Sequence, residues 1–188
     1  MTAPLDRAVA AVATGAVVLY PTDTLYGLGA SATDRAAVAR VTALKDRPGG
    51  MPISIAVSSV MELDRWCTLD DPARAYARRH LPGPVTLLVP ASAEGRRRLA
   101  PAVLGHDGTL GVRVPDHPVA RELARRAGPI TATSANRHGA PPAASIASAR
   151  RTFGRGIAVY VAAGPSPSGR PSALADLRAG RLRLVERR

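Results

Sequence analysis

Ala16-Val17-Val18-Leu19-Tyr20-Pro21-Thr22-Asp23-Thr24-Leu25-Tyr26-Gly27-Leu28-Gly29-Ala30 sets the frame for the rest of the chain. The run 16–20 is brief and apolar, which reads as a buried strand. Pro21 breaks it into a loop, 21–30, that carries hydroxyls, a carboxylate and two glycines. Thr33-Asp34 then caps a helix over 35–44, with Ala37, Val38, Val41 and Leu44 at helical spacing. Buried strand, polar loop and amphipathic helix together make the repeating unit of an α/β fold.

Working outward, residues 4–13 read as a short helix stopped by Gly15. Downstream, strands are expected at 52–57, 85–89, 109–114, 130–133 and 157–161. Helices are expected from Ser58-Ser59, from Asp70 or Asp71 to about His80, over 117–127 and near 143–153. The tail offers two more strands, near 172–178 and 181–186. Strands alternate with helices for most of the length, which predicts an α/β sheet covered by helices. No repeat or long linker divides the chain, so 1–188 is expected to be a single domain. The Gly-, Pro- and Ser-rich stretch 164–171 reads as a mobile loop that can act as a lid.

A chain of 188 residues buries roughly 70% of its unfolded surface, enough for a core without staples. Aromatics make up only 3%, so that core rests on Val, Leu, Ile and Ala. Cys67 is the only cysteine, which excludes an internal disulfide and fits a reducing compartment. Beside Trp66 it reads as a packed small hydrophobe. No apolar run reaches the roughly 18 residues of a membrane span, and the start does not read as a signal peptide. The expected location is the cytoplasm.

The net charge of +12 favours polyanionic partners, nucleotides and nucleic acid alike. The arginines come in pairs and triplets without interleaved aromatics, so stacking platforms for RNA are missing and only weak RNA contact is expected. Of the 26 basic residues all but Lys45 are arginine; Asn136 is the only asparagine, and there is no glutamine. A drift toward arginine spares lysine only where a compact point charge does what a planar fork cannot. Both rare residues sit in polar loops, Lys45-Asp46-Arg47-Pro48 and Ser134-Ala135-Asn136, and both mark a site.

Four loops carry groups fit for chemistry. The hydroxyls of 22–24 suit a small polar ligand, and the glycines of 27 and 29 allow close backbone approach. Lys45 and Arg47 can neutralise phosphates. Arg113, at a strand end, can clamp a carboxylate by two parallel hydrogen bonds. Thr131 to Asn136 adds further hydroxyls and an amide. Together they suggest a site for a polyanion plus a small zwitterion. There is no P-loop, H-E-x-x-H, G-x-S-x-G or G-x-G-x-x-G, and the four histidines lack metal-ligand spacing, so no metal site is expected. His117 reads as a helix-start residue.

The segments Y-P-T-D-T-L-Y-G-L-G, K-D-R-P, P-G-P-V-T, G-V-R-V-P-D-H-P and T-S-A-N, in that order, resemble the YrdC-like family of threonylcarbamoyl-AMP synthases over roughly residues 10–178. The resemblance implies an open, twisted mixed α/β sheet with flanking helices and a basic cavity. It implies a nucleotidyltransferase that makes threonylcarbamoyl-AMP and pyrophosphate from L-threonine, bicarbonate or CO2, and ATP, with Mg2+ carried mainly by the ATP. The product would serve a downstream transferase that builds N6-threonylcarbamoyladenosine in tRNA. It assigns Lys45 and Arg47 to catalysis at the ATP phosphates. Thr109, Ser134 and Asn136 fall to the nucleotide. Thr22, Thr24, Arg113 and Ser172 fall to threonine, with Thr24 the favoured direct contact.

The chain departs from the family pattern in three places. Ser54, Ile55 and Ala56 stand where some members carry a histidine. Ser172-Ala173-Leu174-Ala175-Asp176 only loosely echoes S-T-I-V-D. Arg187 is the nearest match to a C-terminal nucleotide arginine. Two other readings remain open at this point: a carbamoyl-adenylating enzyme, and an RNA-binding protein without turnover.

Overall fold

A computed structural model describes residues 3–162, 168–178 and 182–185. In chain order the helices are α1 (Ala3–Ala13), α2 (Arg35–Leu44), α3 (Leu63–Trp66), α4 (Asp71–His80), α5 (Ala93–Arg98), α6 (Pro118–Ala127) and α7 (Ile146–Phe153). The strands are β1 (Val18–Tyr20), β2 (Gly27–Gly29), β3 (Ile55–Ala56), β4 (Val85–Pro90), β5 (Thr109–Arg113), β6 (Ile130–Thr131), β7 (Thr133–Ser134), β8 (Val159–Tyr160), β9 (Ala173–Asp176) and β10 (Arg183–Val185). Among the described residues no helix is long and apolar enough to cross a membrane.

The expected mixed α/β architecture with flanking helices is present, and its strands divide into two open sheets. One runs β7-β2-β1-β8 and the other β10-β9-β4-β5-β3-β6. Both are mixed: β1 pairs antiparallel with β2 and parallel with β8, while β5 pairs antiparallel with β4 and parallel with β3. The sheets meet where β6 passes through Ala132 into β7, and a bridge from Ser31 to Ile130 ties the end of β2's strand to β6.

The strand over 16–20 forms at Val18–Tyr20 and is buried on both faces, as its unbroken apolar run requires. Val18 and Tyr20 pack with Leu5, Ala8 and Val12 of α1 and Leu123 of α6; Leu19 faces the other way, into the larger core with Val38 and Val41 of α2. Asp34 caps α2, its Oδ1 accepting from the N–H groups of Ala36 and Ala37.

Part of the loop expected over 21–30 is instead strand β2. Gly27 lies opposite Tyr20 in register, and Gly29 opposite Val18. A Cβ at either glycine would meet the Tyr20 ring at 2.9 Å. The glycines therefore let β2 lie against a buried tyrosine, whose hydroxyl donates to the carbonyl of Thr131 at 3.0 Å.

Alternation along the six-stranded sheet gives it two different faces. Leu87, Val89, Leu110, Val112, Ile55 and Ala175 go to the core. Thr109, Gly111 and Arg113 share the opposite face of β5, and Leu88 and Leu174 line a cavity there with Gly111. That face is the floor of the candidate site.

Candidate active site

β5 carries both ends of the site. Arg113 closes it at one end and Thr109 opens it at the other, about 13 Å apart at the usual rise of an extended strand. Each lines its own cavity.

The smaller cavity, about 30 Å³, is lined by Thr22, Thr24, Arg113, Ser134 and Ser172, among others. Arg113 is 6% exposed. Its Nη1 donates to Thr24 Oγ1 at 2.9 Å and its Nη2 to Asp23 Oδ1 at 2.6 Å. Its Nε–H is buried with no partner, and so is Asp23 Oδ2. A buried unpaired donor on a guanidinium is costly unless a ligand meets it.

Thr22 and Thr24 divide their work. The Thr22 hydroxyl donates to the Leu25 carbonyl at 2.6 Å and accepts from the N–H groups of Thr24 and Leu25, both at 3.1 Å. It also lies 3.0 Å from Thr24 Oγ1, so its capacity is taken up within the turn. Thr24 Oγ1 accepts from Arg113 and lines the cavity, which places a hydroxyl beside the guanidinium.

Ser172 is buried beside Thr86, with their hydroxyl oxygens 2.8 Å apart. Ser168, just before it, donates to the Thr24 carbonyl at 3.3 Å. The stretch 168–172 thus lies over the small cavity. The rest of the expected lid, 164–167, and Arg187 lie outside the described residues.

The larger cavity, about 830 Å³, is lined by Arg47, Ser54, Thr109, Gly111, Asn136 and His138, among others. Its volume suits a small-molecule ligand. Arg47 is half-buried, donating to the carbonyls of Met51 and Pro52 at 3.1 and 3.0 Å; burial lowers its pKa.

Lys45 lines neither cavity. Its Nζ donates to the carbonyls of Ser134 and Asn136, at 2.6 and 2.7 Å, and to Asn136 Oδ1 at 3.2 Å. In return the N–H of His138 donates to the Lys45 carbonyl at 2.6 Å, and Arg137 pairs with Asp46. Asp46 takes a left-handed φ of 49°, the only non-glycine among the described residues to do so. The loops 45–47 and 134–138 are one stitched unit, with Ser134 on the small-cavity side and Asn136 on the large.

Cys67 is buried, and burial pushes its thiol up to about 12, which removes it as a nucleophile. His117 caps α6, its Nδ1 accepting from the N–H of Val119 at 3.2 Å.

These cavities sit in a recognisable sequence. The Sua5/YciO/YrdC family model, described as "Telomere recombination", matches residues 10–187. The chain belongs to this family. A threonylcarbamoyl-AMP synthase of Chromohalobacter salexigens is 39% identical over 92% of each chain. Another, of Thiobacillus denitrificans, is 38% identical over 89% of this chain and 88% of its own. P. abyssi Sua5, solved in complex with L-threonine, superposes at a TM-score of 0.88 with 32% identity. That match covers 96% of this chain, which spans about half, 52%, of the Sua5 chain. E. coli YciO superposes at 0.85 with 26% identity, covering 96% of this chain and 87% of its own.

Within this Sua5/YciO/YrdC chain, all four residues expected at threonine gather round the small cavity, and Arg47, Thr109 and Asn136 round the large. Sequence reasoning missed Asp23, Thr86 and Arg178. Asp23 lies between the two threonines of Y-P-T-D-T-L-Y-G-L-G, and Thr86 ends P-G-P-V-T. Arg178, which donates to Thr109 Oγ1 at 3.0 Å, carried no signal at all.

Proposed function

We propose that this chain makes threonylcarbamoyl-AMP and pyrophosphate from L-threonine, bicarbonate or CO2, and ATP. One observation carries the reading: the buried, unpartnered Nε–H of Arg113 in a cavity floored by the same strand that lines a nucleotide-sized space. A carboxylate is the ligand such a donor suits, and the Thr24 hydroxyl beside it suits the same small zwitterion.

Threonine, held by Arg113, Thr24 and Ser172, presents its neutral amine to the carbon of CO2, and the new C–N bond forms as the amine proton passes to solvent. From bicarbonate the same bond forms with loss of water, and either route gives N-carboxy-threonine. A carbamate oxygen then attacks the α-phosphorus of ATP, the bond to the β-phosphate oxygen breaks, and pyrophosphate leaves with the electron pair. Arg47 neutralises phosphate charge; Mg2+ arrives with the ATP as part of the substrate. Lys45 acts by fixing the loop that carries Ser134 and Asn136 and by adding positive charge beneath it. Among the described residues no nucleophile stands activated, so catalysis is positioning and electrostatics.

The small cavity, as it stands, has room for about one water. Threonine therefore enters by displacing its cover, the stretch 168–172 tied to Thr24, and the covering segment then excludes water. Chain 1–188 works as one domain in the cytoplasm, and its adenylate passes to a tRNA threonylcarbamoyl-transferase. The arginine-rich exterior offers at most weak, salt-sensitive contact to RNA.

The test is pyrophosphate release from ATP and Mg2+ with threonine and bicarbonate added singly and together. Release that requires both supports the synthase. Release with carbamoyl phosphate but not threonine would transfer the reading to carbamoyl adenylation, and RNA binding without any release would leave an RNA-binding protein.

A further inference from the structure

Arg178 lies two residues past β9, beyond the end of the strand. Its Nε and Nη2 clasp the two oxygens of Asp176 at 2.8 and 2.6 Å. Its Nη1 reaches Asp107 Oδ2 at 2.7 Å and Thr109 Oγ1 at 3.0 Å. Asp107 Oδ1 in turn accepts the N–H of Thr109 at 3.0 Å. One guanidinium thus joins the end of β9 to the start of β5, at the mouth of the large cavity.

The consequence falls on the Thr109 hydroxyl. One lone pair accepts from Arg178. The Thr109 backbone N–H goes to Asp107 Oδ1, so Arg178 and Asp107 hold the residue at two points. What remains on the hydroxyl is its proton and a second lone pair, on a residue that lines the cavity. Arg178 and Asp107 are substantially exposed, at 40% and 59% of their side chains. Ion pairs so exposed add little to stability. The frame's effect is therefore on orientation.

We infer that Arg178 is a positioning residue which, with Asp107, fixes the Thr109 hydroxyl to hydrogen-bond the nucleotide, its open lone pair turned to a ribose hydroxyl or the exocyclic amine. The inference rests on the large cavity being the nucleotide site. It assigns a role to a C-terminal arginine that belongs to this chain's own strand end rather than to the motifs.

The experiment is calorimetric titration of the full chain with MgATP, alongside steady-state pyrophosphate release. Arg178→Met and Thr109→Val are each expected to weaken ATP binding about tenfold, the scale of one hydrogen bond. The double variant should be no worse than either single, because both remove the same contact. The KM for threonine and the melting temperature should hold. Titration with 2′-deoxy-ATP, 3′-deoxy-ATP and ITP separates the donors: the analogue lacking the contacted group loses the same tenfold in the wild type and nothing further in Thr109→Val. Unchanged ATP affinity in Arg178→Met overturns the inference. So does additive loss in the double variant, or a parallel rise in both KM values with a fall in melting temperature. Wild-type ATP binding without pyrophosphate release would instead overturn the synthase reading and leave the titration as the test of Arg178.

Discussion

The Nζ of Lys45 donates to Oδ1 of Asn136 at 3.2 Å, so the chain's single lysine closes on its single asparagine. The same ammonium holds the carbonyls of Ser134 and Asn136. Three protons meet three oxygens at a residue only 2% exposed. A guanidinium is planar and wide, and it cannot converge on three oxygens from one point. This gives a physical reason for one lysine to persist in a chain that otherwise uses arginine.

Lys45→Arg should therefore fail nearly as badly as Lys45→Ala. Each loses at least one charged hydrogen bond, about 1.5–3 kcal/mol, so kcat/KM for pyrophosphate release should fall roughly 10- to 100-fold. An arginine variant with wild-type turnover would show that charge alone is needed and that the three-oxygen clamp is incidental.

The clamp also has a pH signature. Burial, with the neighbouring Arg47 charge second, lowers Lys45 from 10.5 to about 8. Three donated bonds need the protonated form, so activity should decline as pH rises through about 8, following one proton. Stability moves the other way. Between about 8 and 10.5 the unfolded chain binds the Lys45 proton more than the folded one, so Lys45's contribution to unfolding free energy increases with pH across that window. Urea titrations and kcat/KM profiles from pH 7 to 10 read both. Turnover that stays flat to pH 9.5 would contradict the assignment.

Arg113→Lys tests the threonine end. The ammonium keeps the charge but loses the fork that engages Asp23 and Thr24 while leaving Nε free. The KM for threonine should rise roughly 10- to 100-fold, the scale of one charged hydrogen bond, while the KM for ATP stays within a few-fold. Arg113→Met is a different experiment. It strands Asp23 in the interior, its side chain 11% exposed, and should cost about 3–5 kcal/mol of stability. Adding Asp23→Asn to it should recover part of that loss. Equal effects of Arg113→Lys on both KM values would argue that Arg113 shapes the whole cleft rather than one ligand.

How far the sequence carried these assignments depended on what kind of signal each residue leaves. Helix α2 was legible to the residue because Asp34 and the spacing of Ala37, Val38 and Val41 act within one segment. Strand β2 was hidden because Gly27 and Gly29 lack strand propensity; their reason is the Tyr20 ring on the neighbouring strand. Helix α5 was hidden in the same way, since Ala93–Arg98 has no apolar period and Gly95 is there to clear the Trp66 carbonyl. Site residues that came in compact motifs could be found. Their partners could not: Thr86 meets Ser172 from 86 positions away, and Arg178 meets Thr109 from 69. Lys45 could be singled out by rarity, but the direction of its three bonds belongs to the fold.

Gly111 joins these threads, because it separates Thr109 from Arg113 on the floor of the cleft. A Cβ there would collide with the Ser54 hydroxyl, which lines the same cavity. Gly111→Ala must push Ser54 aside or bow β5, an overpacking cost of about 1–3 kcal/mol. Bowing would also shift Thr109 against Arg113, so turnover should drop more than either substrate's KM rises. Removing the obstacle separates the two effects. In Gly111→Ala with Ser54→Gly the methyl fits, and stability should return toward that of Ser54→Gly alone, measured by urea unfolding. If turnover returns with it, strand geometry was the cause. If stability recovers and turnover does not, the methyl itself occupies space that the reacting groups need, and the open floor at Gly111 is part of the site.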